Sequence, residues 1–157
     1  MKTVSRPKVI LMAEDDADDR LLAQDALSEC GLASDLHFVE NGEELLDYLF
    51  QRGKYAKHDE APRPTLILLD LNMPRKDGRE VLKEIKSDAS LRTIPVVVLT
   101  TSRADTDVDR IYQLGANSFI TKPARFEALV EIMKIVTEYW FNAVQLPALN
   151  RSLYARD

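Results

Sequence analysis

The chain has 157 residues, 45% of them hydrophobic and 30% charged, which is the size and composition of one globular domain with a substantial core. Its formal net charge of −5 argues against nucleic-acid binding, which needs a basic surface. Cys30 is the one cysteine, so an internal disulfide is excluded, and the sequence has neither a signal-peptide pattern nor a membrane-spanning apolar run. We therefore expect a cytoplasmic protein that binds no membrane.

Short aliphatic segments alternate with segments of helical periodicity along the whole chain. The predicted strands are residues 8–13, 36–39, 65–70, 94–99 and 118–121. The apolar spacing predicts a helix after each strand, with apolar positions beginning at residues 22, 45, 81, 108 and 126, the last helix running to about residue 141. A βα unit repeated five times predicts an α/β fold, a doubly wound five-stranded parallel sheet with helices on both faces.

Segments outside this alternation are few. Residues 1–7 are a polar N-terminal tail, residues 8–141 form the predicted domain, and residues 142–157 form a short C-terminal extension. Residues 52–64 are polar and contain prolines, and they predict a loop longer than the usual ~2–6 residues between a helix and a strand.

Polar residues stand where the predicted strands end. The third strand ends in Asp70, which by itself could equally be a reactive carboxylate or a cap of the next turn. Glu14 and Asp15 follow the first strand, Thr100 ends the fourth, and Lys122 follows the fifth. Since the carboxyl ends of parallel strands share one edge of the sheet, we expect these side chains to converge there.

This set of residue types predicts a site for a phosphoryl group. Crowded carboxylates repel unless a cation compensates them, and Mg²⁺ takes one or two carboxylates together with waters and phosphate oxygens. A lysine and a hydroxyl stabilise the same charge, and an aspartate can carry the phosphoryl group as an aspartyl phosphate. The sequence therefore predicts Mg²⁺-dependent phosphoryl acceptance.

Three further acidic residues, Asp16, Asp18 and Asp19, follow the first acidic pair. They fall in the first turn of a predicted helix, where the helix dipole favours negative charge. We expect them to stabilise the start of this helix and not to bind metal.

With these residues in register, residues 8–141 resemble the receiver domain of bacterial response regulators, the CheY-like domain of two-component systems. The spacings of 30 residues from Asp70 to Thr100 and of 52 from Asp70 to Lys122 agree with the receiver pattern. The resemblance implies that Asp70 is the phosphoacceptor and that Thr100 and Lys122 bond the phosphoryl group. It also implies that Asp15 binds Mg²⁺ directly, Glu14 mainly through water, and Asp70 as a further ligand.

The resemblance assigns three more roles. The backbone carbonyl of Asn72 would be a metal ligand, and Phe119 would be the aromatic residue that turns inward together with Thr100 on activation. The peptide bond before Pro123 would be cis, a form that X-Pro bonds adopt at low cost. Output would come from this switching face through protein–protein contacts.

Within the family, the chain resembles most the single-domain response regulators of bacterial phytochromes. The signs are the long loop before the third strand, the run of residues 72–82, and Trp140 with the later Leu-Pro-Ala segment 146–148. This implies a sensor histidine kinase of the phytochrome type as phosphodonor. Pro123 departs from the subgroup, in which serine often follows the lysine.

The last helix carries a second apolar stripe, Ile132, Ile135 and Tyr139, besides the stripe expected to pack on the sheet. Together with Tyr112 of the preceding helix, these residues form the dimer face that we expect in a two-fold homodimer. The alternative is that the C-terminal tail covers this stripe.

Two other functions use related features. A phosphatase of the haloacid-dehalogenase type also forms an aspartyl phosphate, but it needs a second aspartate two residues after the first, where Asn72 stands. A pseudo-receiver scaffold would lack one of the five site residues, and all five are present. We therefore expect a signalling protein and not an enzyme.

Overall fold

The computed structural model describes residues 8–31, 35–57, 61–101 and 105–147. Its strands are Val9–Ala13 (β1), Asp35–Val39 (β2), Leu66–Leu69 (β3), Val96–Thr100 (β4) and Ser118–Thr121 (β5). The helices between and after them are Ala17–Glu29 (α1), Gly42–Phe50 (α2), Gly78–Ser87 (α3), Asp105–Gln113 (α4) and Phe126–Glu138 (α5). The predicted alternation of five strands with five helices is confirmed.

The strands form one parallel sheet in the order β2-β1-β3-β4-β5. The last residue of β3, Leu69, lies level with Ala13 of β1 and Val98 of β4. Because all strands run in the same direction, their carboxyl ends meet at one edge, and Asp70 is the first residue beyond β3 at that edge. The predicted fold class, a doubly wound five-stranded parallel α/β sheet, is confirmed.

Two hydrophobic clusters cover the two faces of the sheet. The cluster on one face includes Leu45 of α2, Val81 of α3 and Ile111 of α4. The cluster on the other face includes Ala26 of α1 and Met133 of α5. All four residues of β3 are buried because helices cover both sides of this strand, which explains its uninterrupted aliphatic run. This packing on both faces holds the central strands in position, and with them the residues that follow their carboxyl ends.

The structure corrects several details of the sequence prediction. Leu22, where the apolar spacing of α1 was predicted to begin, is exposed, because the buried face consists of Ala23, Ala26 and Leu27. The loop 52–64 contains a short 3₁₀ helix, Gly53–Tyr55, and α5 ends at Glu138, where a π-helical turn follows. None of the described helices is long and apolar enough to span a membrane.

The expected cis bond before Pro123 is wrong. Among the described residues there is no cis peptide bond, so Lys122 and Pro123 are joined in trans. The trans form of an X-Pro bond is favoured by about 0.5–1 kcal/mol unless the surrounding packing selects cis, and motif spacing carries no information on that packing.

Candidate metal and phosphoacceptor site

Asp70 is buried, and both of its carboxylate oxygens have partners. Oδ1 accepts a hydrogen bond of 2.9 Å from the hydroxyl of Thr100 at the end of β4, and one of 3.1 Å from the backbone N–H of Asn72. Oδ2 accepts a bond of 3.0 Å from Nζ of Lys122, which follows β5. Donors at the ends of β4 and β5 and from its own turn therefore fix the orientation of the carboxylate.

The turn after Asp70 packs against the start of α3 at Gly78. The N–H of Gly78 donates to the carbonyl of Leu71 at 3.1 Å. A Cβ atom on Gly78 would lie 2.7 Å from the carbonyl oxygen of Asp70 and 2.8 Å from Cα of Leu71. Glycine is therefore what allows α3 to begin in contact with the backbone that carries Asp70.

Lys122 joins the carboxylates of three segments. Its side chain is mostly buried, and Nζ donates to Glu14 after β1, to Asp70 at 3.0 Å and to Asp19 in α1 at 3.2 Å. The contact with Asp19 was missed from the sequence, where Asp19 was interpreted as a helix-start residue. The sequence feature that could have indicated this contact is the position of Asp19 in the first turn of α1, which begins close to Glu14 and Asp15.

Glu14 is buried, with its second carboxylate oxygen accepting the N–H of Asp16 at 3.3 Å. Burial raises the pKa of Glu14 from 4.5 to about 7, although its hydrogen bond to Lys122 and the charge of that lysine pull it downward. For Lys122, burial lowers the pKa, but the hydrogen bond to Glu14 and the charge of Asp70 outweigh burial and raise it above its ordinary value. Three carboxylates, those of Glu14, Asp19 and Asp70, share the one ammonium of Lys122.

The carboxylates of Glu14, Asp15 and Asp70 offer oxygen atoms that all lie within 4.8 Å of one another. Asp15 is exposed, whereas the other two are buried. Hard oxygen donors in this number suit Mg²⁺, Mn²⁺ and related divalent cations. The residues present therefore fit a divalent metal. Asn72 lies in the adjoining turn, and metal ligation by its carbonyl stays a prediction.

Thr100 and Phe119 are the two residues of the predicted switch. Thr100 is fully buried and already bonded to Asp70. Phe119 is half-buried against the cluster under α2, α3 and α4. The N–H of Phe119 donates to the hydroxyl of Tyr112 at 3.1 Å, which ties β5 to α4. The role of Phe119 as a switch stays a prediction.

The predicted dimer face is largely at the surface. Tyr112, Ile135 and Tyr139 are 49%, 64% and 51% exposed. Ile132 differs, because it is half-buried and packs at the margin of the cluster between the sheet, α1 and α5. The alternative covering segment, the C-terminal tail, falls mostly outside the described residues.

Comparison with known proteins agrees with this geometry. The family model described as the response regulator receiver domain matches residues 10–134. The response regulator Rcp1 of Synechocystis sp. is 43% identical over 90% of this chain and 95% of its own length. The probable methanogenesis regulatory protein FilR2 of Methanothrix harundinacea is 39% identical over 85% of this chain and 84% of its own length.

Solved structures show the same relationship. The phosphorylated cyanobacterial phytochrome response regulator RcpA superimposes with a TM-score of 0.84 at 45% identity, covering 91% of this chain and all of the other. The Mn²⁺-bound form of Rcp1 gives a TM-score of 0.81 at 43% identity, covering 90% of this chain and all of the other. The chain belongs to the response regulator receiver domain family and is related to phytochrome response regulators.

Proposed function

We propose that this protein accepts a phosphoryl group on Asp70 from the phosphohistidine of a sensor histidine kinase of the phytochrome type. A carboxylate oxygen of Asp70 attacks phosphorus, the P–N bond breaks, and its electron pair returns to the imidazole nitrogen, which takes up a proton. The observation that carries the proposal is the buried carboxylate of Asp70, held jointly by Thr100 and Lys122. The phosphorylated state of the related RcpA supports it.

Lys122, Thr100 and a bound metal would each stabilise the transferred phosphoryl group. The ammonium of Lys122 and the hydroxyl of Thr100 lie at hydrogen-bond distance from Asp70 and can bond phosphoryl oxygens attached to it. Mg²⁺, held by Glu14, Asp15, Asp70 and the carbonyl of Asn72, would neutralise the charge on those oxygens. The donor set and the Mn²⁺ in the related Rcp1 structure support this assignment.

The signal to partner proteins would begin with the hydrogen bond from Thr100 to Asp70. A phosphorylated side chain gains roughly −1.5 to −2 charge, on the analogy of phosphoserine. The hydroxyl of Thr100 would exchange its bond to Asp70 for one to the phosphoryl group, and Phe119 would turn further inward beside it. Because the hydroxyl of Tyr112 accepts the N–H of Phe119, this shift reaches α4 and changes contacts with partner proteins. We expect these events in the cytoplasm, where the kinase domains of sensors act.

Labelling with a small phosphodonor tests the proposal. Acetyl phosphate with Mg²⁺ is expected to add one phosphoryl group, detected by intact mass. The Asp70→Asn variant is expected to add none, since an amide is not a nucleophile for this transfer, and a chelator is expected to prevent labelling.

The matched control is Asp25→Asn, which changes an exposed aspartate of α1 and should label normally. Persistent labelling of Asp70→Asn would contradict the assignment. Multiple turnover on a small phosphate ester would favour the dehalogenase-type phosphatase instead.

We also propose that the dimer face of Tyr112, Ile135 and Tyr139, with Ile132 at its margin, joins two copies of the chain. Ile135→Lys places a charge on the most exposed of these residues and is expected to shift the protein to monomers in light scattering. Leu21→Lys, which changes an exposed leucine of α1, is the control and should leave the mass unchanged. Dimers that persist in Ile135→Lys, or monomers in the unsubstituted protein, would rule out this face.

A further inference from the structure

Lys122 has no spare hydrogen for a phosphoryl oxygen. Its ammonium carries three N–H groups, and it has three carboxylate partners, Glu14, Asp70 and Asp19. An oxygen of a phosphoryl group can therefore bond Lys122 fully only when one of these carboxylates gives up its place.

The three carboxylates differ in how easily they can leave. The side chain of Glu14 is 1% exposed and that of Asp70 is 8% exposed, whereas the side chain of Asp19 is 42% exposed. When the ion pair of a buried carboxylate is broken, the carboxylate keeps a charge that neither water nor a cation compensates. An exposed carboxylate can instead exchange its cation for water at little cost in free energy. Asp70 also carries the phosphoryl group. Asp19 is thus the partner that the site can release.

The backbone holds Asp19 in place for this contact. Its N–H donates to the side chain of Asp16, the N-cap of α1, at 3.0 Å. The neighbouring Asp18 lies in the same first turn and is exposed, and among the described residues it makes no ion pair. Asp18 and Asp19 therefore share their effect on the helix dipole and differ in the contact with Lys122.

We propose that Asp19 is a positioning residue of the phosphoacceptor site. It holds the Lys122 ammonium beside Asp70 in the unphosphorylated protein and yields its place to an oxygen of the incoming phosphoryl group. The second half of this statement rests on the proposed function. Because the Asp19 contact must break before Lys122 can bond a phosphoryl oxygen fully, Asp19 slows phosphorylation.

The holding role is testable without metal or phosphodonor. Acetylation of Lys122 by acetic anhydride, measured by peptide mass spectrometry on the full chain, reports how free its amine is, with the exposed Lys83 as internal reference. Asp19→Asn is expected to raise the Lys122 rate about two- to fivefold, the range that an exposed ion pair supplies. Asp18→Asn should leave it unchanged, and Asp19→Glu, which keeps the carboxylate, should stay near the original rate.

The yielding role is tested with acetyl phosphate and Mg²⁺. Asp19→Asn is expected to phosphorylate about two- to fivefold faster than the unsubstituted protein, and Asp18→Asn at the original rate. Equal values for the two variants in both assays, or slower phosphorylation of Asp19→Asn, would overturn the proposal. Absence of any labelling of Asp70 in the unsubstituted protein would refute the proposed function, while the acetylation rates would still decide whether Asp19 holds Lys122.

Discussion

Replacement of Lys122 by methionine is expected to lower the free energy of unfolding by about 3–5 kcal/mol at about pH 8 in metal-free buffer. The ammonium is the cation that faces Glu14, Asp70 and Asp19, so its removal leaves their charges uncompensated. Phosphorylation is expected to fall about 10²-fold, the usual cost of removing one preorganised electrostatic partner of a developing charge. Denaturant unfolding and labelling with acetyl phosphate measure the two effects.

The loss of stability should depend on pH with a definite sign. The pKa of Glu14 is raised to about 7 with the lysine present, and removal of the lysine takes away an influence that lowers it. A carboxyl whose pKa is higher in the folded than in the unfolded protein favours folding at low pH and loses that contribution as the pH rises through the folded pKa. The difference between Lys122→Met and the unsubstituted protein should therefore be smaller near pH 5 than near pH 8, since the part that comes from Glu14 is lost when this carboxyl is protonated.

Divalent metal should restore most of this stability, because it neutralises the same carboxylates and stabilises the folded state by mass action. Lys86→Met is the matched control. The Lys86 ammonium is also partly buried, but its acceptors are the carbonyls of Arg92 and Ile94 and the side-chain oxygen of Asn117, all neutral. Its loss should cost stability equally at both pH values, with or without Mg²⁺. A Lys122→Met protein as stable as the unsubstituted one at pH 8 would refute the electrostatic account.

The ends of the strands were predictable from the sequence because the parallel sheet converts position along the chain into position in space. Once β1, β3, β4 and β5 are recognised as parallel, Asp70 and Lys122 must lie at one edge, whatever the loops do. The central strands could be recognised from their uninterrupted aliphatic runs, because strands of a parallel sheet are buried on both faces.

What the sequence could not supply depends on the reach and rotation of individual side chains. Asp18 and Asp19 are indistinguishable by spacing and helix propensity, yet a rotation of about 100° between successive helical residues brings one of them to Lys122. The same rotation decides that Ala23 is buried and Leu22 is not. The pair Arg79–Asp107, which joins α3 to α4, spans 28 residues and follows from no local pattern.

Substitution of Gly78 by alanine is expected to lower the free energy of unfolding by about 2–4 kcal/mol, at or above the usual cost of overpacking, because the obstructing atoms are backbone. The added Cβ would lie 2.7 Å from the carbonyl oxygen of Asp70 and 2.8 Å from Cα of Leu71. Relief requires either the start of α3 or the turn after β3 to move by several tenths of an ångström. The turn carries Asp70, the proposed phosphoacceptor, so denaturant unfolding and the rate of labelling should both report the change.

Labelling of Gly78→Ala by acetyl phosphate is expected to slow by about tenfold or more, since displacing a reacting group by about 1 Å costs up to 10²-fold. Gly31→Ala is the control for the substitution itself. Gly31 has a φ of +69° and open space around its Cα, so alanine there costs about 1–2 kcal/mol of backbone strain and touches nothing near Asp70. If Gly78→Ala labels as fast as Gly31→Ala, the turn has absorbed the methyl group without moving Asp70, and the requirement for glycine at this position is structural and not functional.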